Sequence, residues 1–261
     1  MRDRLRAYVA TQASGGWPFV KQEALTGLLG WAPSLPGIAL RGVMYRALLR
    51  CDGIPAIDSQ VRLKYAENIR LGRNVFLDHG VYLHACPHGI EIGDDSFVMH
   101  EAILHVFNFR NLPQAGIRVG KRCFVGERTI IRGQGGVTIG DDVLIAPGAQ
   151  ILAIEHVVQT TRVPIIDQVI RAQGILIEDG AWIGAGAIVT DGVHIGRNAV
   201  VGAGAVVTRD VPAGAVAVGV PARVVKRIAD GEPPHDEAPP ITRSASSAQP
   251  VAAHASVRGR H

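Results

Sequence analysis

The sequence predicts an all-β solenoid, a three-sided parallel β-helix of about six coils, preceded by a helical segment and followed by a disordered tail. The first observation behind it is a period of six. Aliphatic residues recur in sets of three at Leu71, Leu77, Leu83; Ile92, Val98, Leu104; Val119, Val125, Ile131; Ile139, Ile145, Ile151; Ile177, Ile183, Val189; and Ile195, Val201, Val207. Six is neither a helical repeat nor a plain strand alternation. It fits a coil of three short strands whose central side chains all point to the axis and stack on the coils above and below. The second is glycine. The residue after the first member of each set is Gly72, Gly93, Gly120, Gly140, Glu178 or Gly196, as a corner with little room for a side chain requires. The third is where the pattern breaks. Within a set the spacing stays at six, whereas the steps from Leu83 to Ile92, Leu104 to Val119, Ile131 to Ile139, Ile151 to Ile177 and Val189 to Ile195 are 9, 15, 8, 26 and 6 residues. Every insertion leaves the prism at the same corner, and detours gathered on one edge of a repeat array mark its working face.

The elements follow in chain order. Residues 1–60 lack the repeat and form a helical cap. Within them Ile38–Arg50 (IALRGVMYRALLR) has apolar residues at helical spacing with Arg41, Arg46 and Arg50 among them, a basic amphipathic helix. It can pack on the first coil, and it can also lie at a membrane surface. Residues 61–222 are the β-helix, with the 152–176 insertion as its active-site loop. Residues 223–229 close it as a short C-terminal helix. Residues 230–261 (PPHDEAPP, SASSAQPVAAHA) are too poor in large apolar side chains to pack, which predicts disorder.

Composition narrows the function. Aromatics make up only 5% of the chain while Gly is 31 of 261 residues, consistent with thin aliphatic layers in place of a core built on large rings. The net charge of +4 suits an anionic small molecule, and the basic residues are too scattered for a nucleic-acid surface. Cys51, Cys86 and Cys123 form no C-x-x-C pair, which argues against a disulfide framework or a cysteine zinc site and fits a reducing compartment. No leader with a cleavage site opens the chain and no apolar run reaches membrane-spanning length, so the expectation is a cytoplasmic protein.

Three stretches carry a family resemblance: Val137–His156 (VTIGDDVLIAPGAQILAIEH), Trp182–Gly184 (WIG), and Val201–Asp210 with Gly219–Val224 (VGAGAVVTRD, GVPARV). Between them His156 is followed by Pro164-Ile165 and Gln168. The chain thereby resembles the hexapeptide-repeat acyltransferases, in the branch of the galactoside, maltose and polysaccharide O-acetyltransferases. The resemblance implies a left-handed parallel β-helix, a homotrimer, and acetyl-CoA lying between neighbouring prisms, with no metal. It makes His156 the catalytic base. Ala185, Ala203, Thr208, Arg223 and Lys226 match the coenzyme contacts, the two cations facing its phosphates. Pro164, Gln168 and Glu127 fall on the acceptor side. Many relatives carry an acidic residue four positions after the histidine, where this chain has Thr160.

The chemistry is consistent with that reading. A thioester is already activated, and a sugar hydroxyl needs mainly a base and correct positioning. Histidine titrates near neutral pH and suits the first task. No serine or cysteine sits in a nucleophile motif, so direct transfer within a ternary complex is expected. Glu155 can orient the imidazole, although neighbours along a strand point apart. The first reading is O-acetylation of a polysaccharide or lipid-linked glycan at the inner face of a membrane. N-acetylation of a nucleotide amino sugar or a xenobiotic, and a non-catalytic scaffold, are the alternatives. A zinc carbonic anhydrase shares the fold, but where it needs two further histidines beside His105 this chain has Glu127 and Arg132.

Overall fold

The computed structural model describes residues 2–86, 88–107 and 111–228, with the backbone alone at 2, 3, 5 and 6; the tail expected to be disordered, 230–261, lies outside the described residues. Three parallel sheets form the faces of a left-handed β-helix. Sheet A starts each coil (from Arg50–Cys51 to His194–Ile195), sheet B follows (from Ala56–Ile57 to Ala215–Val218), and sheet C completes it (from Arg62–Lys64 to Val206–Val207).

The register is that of stacked hexapeptides. Leu71 pairs with Ile92, Ile92 with Val119, Val119 with Ile139, and Ile139 with Ile177. All eighteen aliphatic positions of the repeat are at most 3% exposed. Each buried Leu, Ile or Val contributes on the order of 1.5–3 kcal/mol, so the aliphatic columns are the main source of stability. The glycines after the first column are required by space and not by a left-handed backbone. A Cβ on Gly120 would stand 2.5 Å from the Gly140 carbonyl carbon, and one on Gly93 would stand 2.6 Å from Gly120. The same corner is stitched by carboxylates, which were not anticipated: Asp94, Asp141 and Asp179 accept from the N–H groups of Arg73, Lys121 and Asp141 at 2.8, 2.8 and 2.9 Å.

Three sequence-based expectations need correction. The described residues form seven complete coils where about six were expected, because Cys51, Ile57 and Leu63 form a first set and the β-helix begins at Arg50. A cysteine in the aliphatic column, directly after a helical pattern, hid it. The basic helix expected over Ile38–Arg50 is instead Ser34–Met44 (α3), preceded by α1 (Arg2–Ala10) and α2 (Gly16–Leu29). Arg41 is fully buried, donating to the carbonyls of Leu29, Ala32 and Ile57 and so joining α2, α3 and the first coil. Finally, Arg223–Arg227 is a strand and not a helix, antiparallel to Ala215–Val218. The open edge of sheet B offers unpaired backbone groups there, and β-branched Val224 and Val225 suit a strand.

Candidate functional site

The 153–174 insertion leaves sheet C after Leu152 and returns to sheet A at Ile175. Its stem is a two-residue antiparallel ladder in which Glu155 faces Arg171 and His156 faces Ile170, extended by the Val157 N–H donating to the Val169 carbonyl at 2.9 Å. The stem is fixed to the prism by Asp191, whose fully buried side chain accepts from the N–H groups of Gln173 (2.9 Å) and Gly174 (3.0 Å) and lies 3.8 Å from Arg171. Glu155 forms its ion pair with Arg171. Its carboxylate is thus engaged across the ladder and not with the imidazole.

Beyond the stem, one side chain organises the tip. Gln168 is only 7% exposed, and its amide is fully occupied by the loop. Its Oε1 accepts from the N–H groups of Gln159 (2.8 Å) and Thr160 (3.3 Å), while its Nε2 donates to the carbonyls of Thr160 and Val163, both at 2.8 Å. Gln168 therefore shapes the segment around Pro164 and has no free hydrogen-bonding capacity for an acceptor. His156 is exposed on the stem.

The residues matched to coenzyme contacts do not gather at one corner. Ala185 and Ala203 occupy equivalent turns between sheets B and C in consecutive coils, and the Gly204 N–H donates to the Ala185 carbonyl at 2.8 Å. Both are exposed, and neither puts more than a methyl group at its corner. Thr208 follows the last strand of sheet C and so stands apart from them, at the C–A corner, while Arg223 and Lys226 are exposed on the closing strand. Glu127, expected on the acceptor side with the loop, belongs to this B–C corner. It follows the sheet B strand Phe124–Val125, and its carbonyl accepts from the Gly148 N–H of the next coil at 2.8 Å. The hairpin emerges at the C–A corner. The imidazole and the small-residue turns of one chain thus stand at different corners of the prism.

Three features went unread in the sequence. A cavity of about 560 Å³ lies on sheet A beside the hairpin base, with Glu91, Arg118, Thr138, Gln173 and His194 in its wall. The outward rungs of sheet B run Ala56, Phe76, Phe97, Phe124, Leu144, Trp182, Val200 and Val216, an apolar stripe with Phe97, Leu144 and Trp182 well exposed. The hexapeptide pattern, which looks inward, gives the outward residues no signal. The third is a histidine pair on sheet C: His84 and His105 meet edge to face at 4.8 Å between ring centres. Burial, with the cations Lys64 and Arg132 adding to it at His84 and Arg132 at His105, holds both imidazoles down to about 4, so both are neutral at pH 7. Arg132 is the in-register neighbour of His105, where a zinc site would need a ligand.

The geometry defines a left-handed parallel β-helix with one long insertion. Family models match two stretches of it: residues 116–153 fit the hexapeptide repeat of succinyl-transferase, and residues 174–209 the bacterial transferase hexapeptide with six repeats. By these matches the six-residue period that builds the prism is the hexapeptide repeat of bacterial transferases. Among solved structures it is similar to a variant of AntD, an N-acyltransferase from Bacillus cereus in complex with dTDP and coenzyme A, at 18% identity over 71% of this chain and 88% of that one, with a TM-score of 0.49. It is also similar to the hexapeptide-repeat acetyltransferase VCA0836 from Vibrio cholerae O1 biovar eltor complexed with acetyl coenzyme A, at 22% identity over 81% and 87% of the two chains, with a TM-score of 0.45. No curated protein matches the sequence. Among the described residues no helix is long and apolar enough to cross a membrane.

Proposed function

We propose that the protein transfers an acetyl group from acetyl-CoA to a sugar hydroxyl of a polysaccharide or lipid-linked glycan. The observation that carries this reading is an exposed imidazole, His156, on a stem braced by buried Asp191 and leading to a loop organised by buried Gln168. A surface loop has little reason to bury a carboxylate and an amide in its own support unless its shape matters. His156 takes the proton of the acceptor hydroxyl as its oxygen attacks the thioester carbon; the carbon–sulfur bond breaks, and the coenzyme leaves as a thiolate that recovers a proton. The pantetheine arm lies along the flat turns at Ala185 and Ala203, with Arg223 and Lys226 toward the phosphates, and Thr208, at the C–A corner, reaches it from the copy that supplies His156.

The active form is a homotrimer. The apolar stripe on sheet B is the kind of exposed patch that a monomer seldom leaves in water, and a second copy covers it. Because His156 and the Ala185–Ala203 corner are separated within one chain, each active site combines the hairpin of one copy with the corner of its neighbour. The acceptor binds on the hairpin side, near Pro164. Three free cysteines fit a reducing cytoplasm, with the inner face of the membrane as the place of work on a lipid-linked glycan.

Release of free thiol from acetyl-CoA in the presence of a panel of sugars tests the reading, with amino sugars included to separate transfer to oxygen from transfer to nitrogen. His156→Ala is expected to cut turnover by roughly 10²–10⁴-fold with the melting temperature unchanged, since the side chain is exposed. Wild-type turnover in that variant would remove the mechanism and leave the fold standing.

A further inference from the structure

The N-terminal helices leave more apolar surface uncovered than any other part of the described chain. On α2 the exposed positions Trp17, Val20, Ala24 and Leu28 recur at steps of 3, 4 and 4, and Trp31 extends the stripe just past the helix. Their opposite side is in use, with Gln22 buried and Leu25 and Leu29 against the core. The exposed side of α3 carries no charge and is largely apolar, through Leu35, Leu40, Val43 and Met44, because its one charged residue, Arg41, is buried. Trp17, Leu28, Trp31 and Leu35 are 75%, 68%, 72% and 79% exposed. The two helices are neighbours, held together by the Arg41 bonds to the carbonyls of Leu29 and Ala32.

Charge indicates what covers them. Residues 1–50 hold seven Lys and Arg (Arg2, Arg4, Arg6, Lys21, Arg41, Arg46, Arg50) against Asp3 and Glu23, a net of +5, while the whole chain carries only +4. The remaining 211 residues therefore sum to −1. Glu23 is paired with Lys64 at 3.4 Å, whereas Arg4, Arg46 and Arg50 are exposed. Arg41 is buried 3.8 Å from Asp58, so the exposed cations are what a second copy meeting this end through the same face would set against their own like. An anionic bilayer instead offers opposite charge to the arginines and a hydrocarbon boundary to the tryptophans and leucines, the two halves of an interfacial site.

We infer that the outer faces of α2 and α3 form a docking surface for an anionic lipid bilayer, with Trp17, Leu28, Trp31 and Leu35 entering the headgroup boundary. The prism then stands on the membrane by its N-terminal end, and the enzyme is peripheral. The inference needs no part of the transfer chemistry, and its test is read without acetyl-CoA, so either reading can fail alone.

The experiment is flotation of the full-length protein with vesicles of phosphatidylcholine mixed with phosphatidylglycerol, and with phosphatidylcholine alone. The protein is expected to float with the mixed vesicles, and roughly tenfold or more weakly with the neutral ones or in high salt. The double variant Trp17→Ser, Leu35→Ser is expected to stay at the bottom of the gradient with an unaltered melting temperature and sedimentation coefficient. Arg46→Gln is expected to weaken binding to the mixed vesicles alone. Failure of the wild-type protein to float would overturn the inference, as would flotation of the double variant at the wild-type level. A double variant that lost its oligomeric state would assign the face to a second copy and overturn it as well.

Discussion

At the scale of the residue, the most informative side chain is Gln168. Its two amide ends are satisfied by four backbone groups of the loop, and each buried partner left unpaired costs on the order of 1–3 kcal/mol. Gln168→Leu keeps the volume and removes all four bonds, so the tip around Pro164 is free to move. Because the loop lies outside the aliphatic columns, the melting temperature is expected to stay close to wild type. Turnover is expected to fall by roughly 10²-fold, the scale of a misplacement of about an ångström near the chemistry. Cleavage of the 157–168 segment by a protease would rise in parallel. Normal turnover with a protected loop would show that the amide only decorates the fold. The sequence spacing picked out Gln168 but not this role, since a side chain that holds a loop and one that holds a substrate leave the same trace in a motif. Asp191, which braces the stem from a later coil, left no trace at all. Its importance comes from the stacking that puts it under Gln173 and Gly174.

At the scale of the element, the prism was largely legible and its ends were not. A period of six, repeated through eighteen buried positions, is a signal that averages over local exceptions. The first coil failed that average because Cys51 replaced an aliphatic, and the closing strand Arg223–Arg227 failed it because a single segment has no period. The hairpin, in contrast, is a separable element: its ladder and the Gln168 bonds are internal, and it meets the prism at Asp191. The chain already crosses that corner briefly elsewhere, where Val189 and Ile195 are joined through Asp191 and Gly192, with φ of +82° at the glycine. Replacing residues 155–171 with a short glycine turn, while keeping Gln173 and Gly174 to satisfy Asp191, is therefore expected to leave the melting transition cooperative and within a few degrees of wild type. The same protein is expected to release no thiol from acetyl-CoA. A chain that no longer folds would mean the insertion belongs to the core.

At the scale of the whole molecule, the question is why one chain separates the proposed base from the turns proposed to receive the coenzyme. His156 leaves at the C–A corner, while Ala185 and Ala203 lie at the B–C corner, with sheet C between them. An array of coils that contact only their neighbours cannot bend one corner toward another, so the two parts meet only if a second prism lies alongside. The outward stripe of sheet B borders the Ala185–Ala203 corner and is the surface proposed for that contact. Trp182→Glu with Phe97→Glu would place two carboxylates in the middle of it, and is expected to yield folded monomers without activity. A stricter experiment uses two inactive chains. His156→Ala keeps the coenzyme corner, and Ala203→Trp keeps the base while filling that corner. If each site draws one part from each of two copies, trimers formed by co-expressing the pair in equal amounts contain intact interfaces by chance. One interface in about four then joins a wild-type His156 to a wild-type Ala203, so about a quarter of wild-type activity is expected where either variant alone has none. No recovery in verified mixed trimers would place base and coenzyme within a single chain.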